Sequence, residues 1–569
     1  MKKNLKLYDV PQINTIQQMV LESAEKFSHK IALEDLNPTP IKSVTYEELL
    51  QNILKFGTAL KKLGLEERAH IAVIGENRVQ WAISFLTCMC FNYVVVPIDK
   101  NLTTNEIFNI VHESDSEAII FSESYSSTFS GSHVALKKVK HFICMDQTKE
   151  DANFLYMVDL ITNAEMADKK LLPKINPNDL AEIIFTSGSL GRAKGVMLTQ
   201  GNLAANLVDM VSMIIIGKGD RFLSVLPMHH TYECTCGMLC PLYCGASAHY
   251  ARSLKTVVDD IQKVKATILL GVPLLFDKMF KRIMKTIHED KVKSKVVPPL
   301  MKITSFLQTA GVKGLKQKIF KELHEKFGGA IRIFIAGGAA PDPLVAKGLR
   351  ELGFTFIQGY GLTETSPILA LNRLDYFKDN AAGIPLPRVE IKINEPDEEG
   401  IGEIWAKGPS VMLGYYKNEK LTEEVFEKGW FKTGDQGYVD EEGFLHIAGR
   451  KKNVIISKSG KNVFPEEIED VLNRSPFILE CMVYGEKDQK QDEIIAVQIV
   501  VDAEAFIELA ENEGVEIDDE LMNKKIAEEI DKTNKQLASY KHIRKFYIRD
   551  NEFEKTTTQK IKRYLVEKS

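Results

Sequence analysis

From residue 70 onwards the chain alternates short apolar runs with amphipathic ones. Residues 70–74, 93–98 and 118–121 are nearly unbroken apolar stretches, whereas 80–89 and 104–113 repeat apolar residues at helical spacing. A strand covered on both faces reads as a continuous apolar run, so this alternation predicts parallel βαβ units. It resumes further on, with strands predicted at 181–185, 221–226, 266–270, 331–335 and 354–358. Upstream, 15–65 reads as helical, with Tyr46 opening a long helix after 43–45 and Gly64 closing it. Beyond 381 the texture changes to short strands and turns at 389–393, 402–406 and 430–435, and Pro465 opens a helix in a final α+β segment. The expected fold class is α/β, with a large N-terminal domain over 1–450 made of parallel-sheet subdomains plus a small β-rich subdomain at about 381–450. A small, mobile α+β lid domain is expected over 451–569, with a hinge near 450–452.

In parallel sheets ligands bind beyond the carboxyl ends of strands, so the residues that follow each strand carry the chemistry. The first such segment runs Thr186, Ser187, Gly188, Ser189, Leu190, Gly191, Arg192, Ala193, Lys194. Its glycines let backbone N–H groups approach an anion, its hydroxyls add donors and Lys194 adds a point charge, which is what a phosphate-holding loop requires. It matches neither the Walker spacing nor G-x-G-x-x-G, and the same residue types also build solvated turns. The next strands end in Pro227-Met228-His229-His230, in Ala336-Gly337-Gly338-Ala339 and in Gly359-Tyr360-Gly361-Leu362-Thr363-Glu364. Four polar or glycine-rich segments are thus predicted to converge on one crevice.

Composition narrows the class. At 569 residues with 44% apolar and 27% charged residues, the chain reads as an ordinary globular protein of several compact units. A net charge of −5 gives no general attraction to nucleic acid. The N-terminal MKKNLKLYDVPQ has no apolar h-region behind its lysines, which together with eight cysteines suggests a cytoplasmic, reducing location. Cys234, Cys236, Cys240 and Cys244 cluster, and the last three would stack on one helix face, as a metal site or as small buried hydrophobes. The Lys-rich stretch 277–326, interleaved with Ile283, Ile287, Val297, Leu300 and Phe306, fits either solvated surface helices or helices lying at the inner face of a membrane.

With these segments placed, the chain resembles the adenylate-forming (AMP-binding) superfamily, and within it the long-chain fatty-acid acyl-CoA synthetases. The resemblance rests on six motifs in order: TSGSLGRAKGV, LPMHHTYE, AGGAAPDP, GYGLTETSP, WFKTGDQGYVDEEGFLHIAGRKKNVI and TTTQKIKR. It implies an ATP-dependent ligase that makes an acyl-adenylate from a medium- to long-chain fatty acid and passes the acyl group to coenzyme A. By the resemblance, Thr186, Ser187, Gly188, Ser189, Gly191 and Lys194 surround the phosphates, and Thr186 with Glu364 holds Mg²⁺. Tyr360 lies against adenine, with Gly337, Gly338 and Ala339 opposite and Gly361 and Thr363 beside it. Asp435 takes the ribose hydroxyls, Arg450 and Lys452 add nucleotide contacts, and Lys560 is the catalytic cation, with Glu364 and His230 nearest the reacting groups. Leu190, Ala193 and Gln559 depart from the family pattern at supporting positions. The reading leaves open a carrier-protein or aryl-CoA ligase, a non-catalytic fatty-acid- and nucleotide-binding homologue, and a homodimer.

Overall fold

The structure, a computed structural model of the whole chain, describes residues 5–146, 153–186, 193–309, 314–457, 461–487, 493–556 and 560–566. The chain divides into two compact units, one of 1–391, 406–431 and 441–444, the other of 392–405, 432–440 and 445–569.

The first unit is built on two sheets. One has eight strands in the order Gly414–Tyr415, Lys194–Thr199, Leu180–Thr186, Val94–Ile98, His70–Ile74, Ala118–Phe121, His141–Cys144, Leu155–Tyr156. From Leu180–Thr186 onward the neighbours are parallel, and the first two strands are added antiparallel at one edge. The other sheet has nine strands, with a parallel centre running Thr355–Gly361, Ile333–Ala336, Ile268–Gly271, Arg221–Ser224, Ser247–Tyr250, Ile31–Asp35. Helices Ile16–Phe27, Tyr46–Lys62, Val79–Cys90 and Gln200–Met213 contribute to a single core that packs against both sheets. The buried positions of the first two recur at helical spacing, whereas Val79–Cys90 is buried all round and Gln200–Met213 nearly so; Thr15, Thr45 and Thr199, and Thr103 ahead of Thr104–Glu113, each cap a first turn by accepting a backbone N–H. The far faces are covered separately, the nine-stranded sheet by Pro273–Glu289 and Pro343–Glu351 and the eight-stranded one by Thr104–Glu113. The fold is α/β, as the alternation predicts.

Two local expectations differ. Residues 15–65 are not helical throughout, because Ile31–Asp35 and Ser43–Thr45 form strands between the two helices and the first of these joins the nine-stranded sheet. The cysteines do not stack on one α-helical face. Cys234 and Cys236 lie in a π-helix, Tyr232–Leu239, whose wider turn changes the spacing, and Cys240 and Cys244 follow in a short α-helix. All four thiols are free, and all but Cys244 are buried as small hydrophobes.

In the second unit, Leu445–Arg450 pairs antiparallel with Trp430–Val439, setting Asp435 opposite Arg450. Ile478–Lys487, Glu493–Val501 and Lys545–Arg549 form a three-stranded sheet, antiparallel then parallel. Helices Pro465–Leu472 and Asp519–Asn534 cover it through Ile468, Leu472, Ile526 and Ile530. This unit is α+β, and by its contacts it includes 392–405 and 432–440, which precede the expected hinge.

Candidate active site

In the first unit the carboxyl ends of the two parallel sheets meet. Asn77, just past the strand His70–Ile74, donates to Ser224 Oγ at 3.1 Å and to the Leu226 carbonyl at 2.6 Å, and accepts the Met228 N–H at 3.0 Å. Asp99, just past Val94–Ile98, lies with its Oδ1 3.5 Å from Nε2 of the buried His229. His230 is half-buried, with its ring 4.2 Å from that of His229 and tilted by 47°. Asp99, His229 and His230 supply a third polar group beside the histidine pair, which spacing alone did not offer, and their ligand atoms lie within 4.8 Å of one another. Two imidazoles on one tetrahedral ion would hold their ring centres roughly 5 Å apart or more, so this tilted pair stands closer than two ligands of one such ion.

The chain after His230 enters the π-helix, whose Tyr232 donates to the Ile335 carbonyl at 3.0 Å. This ring fixes Gly337, where a Cβ would come within 2.7 Å of Tyr232 Cζ, and Gly338 then turns with a φ of +85°. Only glycine satisfies both demands without strain. Gly361 is likewise set by packing, since a Cβ there would overlap the Pro367 carbonyl. Tyr360, next to it, pairs with Ala370 in the adjacent strand and is half-buried.

The hairpin formed by Leu180–Thr186 and Lys194–Thr199 brings Thr186 opposite Lys194. Ser187, Gly188, Ser189, Leu190, Gly191 and Arg192, between them, lie outside the described residues, as does Gln559. Lys194 Nζ sits 5.3 Å from the centre of the Tyr415 ring, and the Tyr415 hydroxyl donates to Glu364 Oε1 at 2.9 Å. Tyr415 therefore ties the loop lysine to the glutamate. Glu364 is half-buried in the short 3₁₀ turn Thr363–Thr365, and its backbone carbonyl accepts the Met412 N–H at 2.9 Å. A partly accessible carboxylate near a hydroxyl-bearing strand end is a hard-oxygen donor set of the kind Mg²⁺ takes when phosphate and water complete its shell.

Two buried carboxylates lie behind this edge. Among the described residues, Glu182, on the strand that leads to Thr186, and Glu233, in the π-helix, have no close hydrogen-bond partner for either oxygen. Burial pushes both up from 4.5 to about 8, with Ser224 and the Leu226 backbone pulling Glu233 the other way. A Cβ on Gly237 would overlap the Glu233 carboxylate, so a turn of the π-helix closes directly over that group.

In the second unit, Asp435 is buried and Arg450 Nε lies 2.9 Å from its Oδ1. The Thr433 hydroxyl accepts the Asp435 N–H at 3.1 Å and donates to the Ile404 carbonyl at 2.7 Å. Lys560 shares this neighbourhood. Although the residue is exposed overall, desolvation of its ammonium and then the positive charge of Arg450 lower its pKa, while Asp435 opposes them. The loop that carries it is pinned on both sides: Lys555 reaches Glu480 at 2.7 Å, and Arg563 reaches Glu469 at 2.5 Å and the Val483 carbonyl at 2.8 Å. Lys451 pairs with Glu403 at 2.9 Å, and Lys452 lies in the adjoining 3₁₀ turn. Gly449 permits a close approach, for a Cβ there would come within 2.7 Å of Glu466 Oε2 and 3.1 Å of Phe464 Cδ1.

Comparison with known proteins places this arrangement. The profile of the AMP-binding enzyme family matches residues 20–416, and that of the AMP-binding enzyme C-terminal domain matches 467–560. The chain belongs to the AMP-binding enzyme family. Among its relatives, a long-chain-fatty-acid–CoA ligase of Mycobacterium bovis is 27% identical over 98% of this chain and 96% of its own. A chloroplastic long-chain-fatty-acid–[acyl-carrier-protein] ligase of Arabidopsis thaliana is 28% identical over 83% of this chain and 75% of its own. The fold is similar to that of the anthranilate CoA ligase AuaEII in complex with anthranoyl-AMP, with a TM-score of 0.78 at 21% identity over 98% and 97% of the two chains. It is also similar to that of o-succinylbenzoate CoA synthetase from Bacillus subtilis in complex with ATP and magnesium ion, with a TM-score of 0.73 at 23% identity over 97% and 98%.

The strand-end rule names Thr186, His230, Gly337 and Glu364, which the structure sets at or just past strand ends of the first unit. It missed Asn77, Asp99 and Tyr415. The first two follow parallel strands and were open to the same rule; Tyr415, in a run LGYYKN with no periodic or glycine-loop signal, was not.

Proposed function

We propose that this AMP-binding enzyme is an ATP-dependent ligase that activates a medium- to long-chain fatty acid and transfers it to coenzyme A. The observation that carries the reading is the Lys194–Tyr415–Glu364 connection at the carboxyl edge of the first unit, matched in the second by Asp435, Arg450 and Lys560. In the first half-reaction a carboxylate oxygen attacks the α-phosphorus of ATP, the bond to the bridging oxygen breaks, and pyrophosphate leaves. In the second, the coenzyme A sulfur attacks the acyl carbon and the acyl–oxygen bond to AMP breaks. Both steps depend on positioning and on charge placed where charge develops.

In this reading Thr186 and the loop it opens, with Lys194, hold the β- and γ-phosphates. Thr186 and Glu364 hold Mg²⁺, which supplies charge neutralisation at the phosphate oxygens. Tyr360, Gly361 and Thr363 line the adenine side, opposite Gly337, Gly338 and Ala339. Asp435 accepts from the ribose hydroxyls, while Arg450 and Lys452 contact the nucleotide. Lys560 brings its ammonium to the oxygen between the carboxylate and the α-phosphate, where charge develops. His230 stands near the acyl carboxylate. The segment after Lys452 swings between half-reactions, carrying Lys560 away and admitting the thiol. The fatty-acid assignment draws on the Mycobacterium bovis relative, and the Arabidopsis relative makes an acyl-carrier protein the rival acceptor.

The test is carboxylate-dependent exchange of labelled pyrophosphate into ATP, over acids of graded chain length. No exchange with any fatty acid refutes the reading. Lys560→Ala should abolish exchange while ATP still binds; exchange that survives it would point to a different catalytic cation, and supplying coenzyme A or acyl-carrier protein identifies the acceptor.

A further inference from the structure

The helix Lys293–Thr309 is apolar on two sides. Val297, Leu300 and Met301 face inward and join the core under the nine-stranded sheet. On the opposite side Val296, Pro299, Ile303 and Phe306 follow one another at steps of three, four and three residues, which is one stripe along a helix. All are exposed, Val296 by 46%, Ile303 by 53% and Phe306 by 73%. A solvated helix face would carry polar residues at these steps, and a row of large apolar groups in water marks a contact surface.

Charge selects the partner. From 291 to 306 the chain has four lysines and no acidic residue, although the protein as a whole carries −5. At 100° per residue Lys295 and Lys302 run along one edge of the stripe, both of them exposed. A second copy of this chain would bring the same lysine edge against itself in a two-fold contact, so like charges would meet. Among the described residues no helix is long and apolar enough to cross a membrane. An apolar stripe edged by lysines instead matches a surface where hydrocarbon lies beneath anionic headgroups.

We propose that the outer face of Lys293–Thr309 docks on an anionic lipid bilayer, with Val296, Ile303 and Phe306 entering the acyl boundary and Lys295 and Lys302 meeting the headgroups. The proposal stands on this helix and not on the ligase reading, so either can fail without the other.

The full chain is tested by co-sedimentation with vesicles of phosphatidylcholine alone and of phosphatidylcholine with phosphatidylglycerol. Binding is expected on the anionic vesicles and should weaken as salt rises from about 0.1 to about 1 M, which shortens the screening length from about 10 to about 3 Å. Each lysine near an anionic surface contributes roughly fivefold in partition, so Lys295→Glu with Lys302→Glu should lower binding at least about 25-fold. Ile303→Asp with Phe306→Asp should abolish it. These residues are solvent-facing, so the thermal midpoint of each variant should match that of the parent, which separates lost docking from lost folding. Three results would overturn the proposal: equal binding to neutral and anionic vesicles, undiminished binding by either double variant, or a vesicle-independent dimer that Phe306→Asp splits.

Discussion

Replacing Glu182 by glutamine should flatten the pH dependence of the stability of the first unit. The carboxyl is fully buried in the strand before Thr186, with no hydrogen-bond partner or cation among the described residues, and burial raises it from 4.5 to about 8. Between those two values the folded chain holds a proton that the unfolded chain has released, so stability falls as pH rises, by about 1.4 kcal/mol per unit. Below 4.5 the group is neutral in both states and costs nothing through ionisation. Above 8 the loss is complete, at about 5 kcal/mol, an upper figure because local relaxation and water entry soften it. Glutamine has nearly the same shape and no ionisation. It leaves an amide without partners, but that penalty does not change with pH, so the slope and not the offset is diagnostic. For a unit this large 1 kcal/mol corresponds to about 1 °C in thermal midpoint. From pH 5 to pH 8 the midpoint of Glu182→Gln, relative to the parent, should therefore climb by about 4 °C. Scanning calorimetry at several pH values reads this directly. Parallel curves for the two proteins would refute the reasoning, because they would mean that Glu182 stays ionised, or stays neutral, in both states.

Three further outcomes follow from the site. Tyr415→Phe removes the hydroxyl that Glu364 accepts; losing a hydrogen bond to a charged group costs about 1.5–3 kcal/mol, so pyrophosphate exchange should need roughly tenfold or more additional Mg²⁺. An unchanged Mg²⁺ titration would remove Tyr415 from the site. Arg563→Ala frees one side of the loop that carries Lys560, and should lower kcat for adenylation while leaving the KM for ATP alone; a rise in KM with constant kcat would contradict this positioning role. Lys452→Pro should spare adenylation and stop thioester formation, and equal loss in both half-reactions would argue against a swing at that point.

Much of the fold was legible because buried parallel strands leave continuous apolar runs. His70–Ile74, Thr104–Glu113 and Ala118–Phe121 fall where the pattern puts them. Ile31–Asp35 escaped because IALED is short, ends in two acids and lies between helices whose periodicity overruns it. The π-helix escaped as well, since its apolar residues alternate with Glu233 and Thr235 and do not carry the helical period. Within the site, glycines and hydroxyls after strands carry a local signal, whereas Asp99 facing His229 and Tyr415 facing Glu364 arise only once distant strand ends are brought together. Nor could spacing say that Gly337 yields to the Tyr232 ring, or that Lys555 and Arg563 anchor the Lys560 loop.

The bare backbone at Gly449 also bears on the swing proposed after Lys452. Phe464 and Glu466 press into a notch that any side chain would fill, one residue ahead of Arg450. In the proposed swing after Lys452 that notch would be the seat to which the segment returns, and a single added methyl at Gly449 would crowd it without touching the residues proposed to carry either half-reaction.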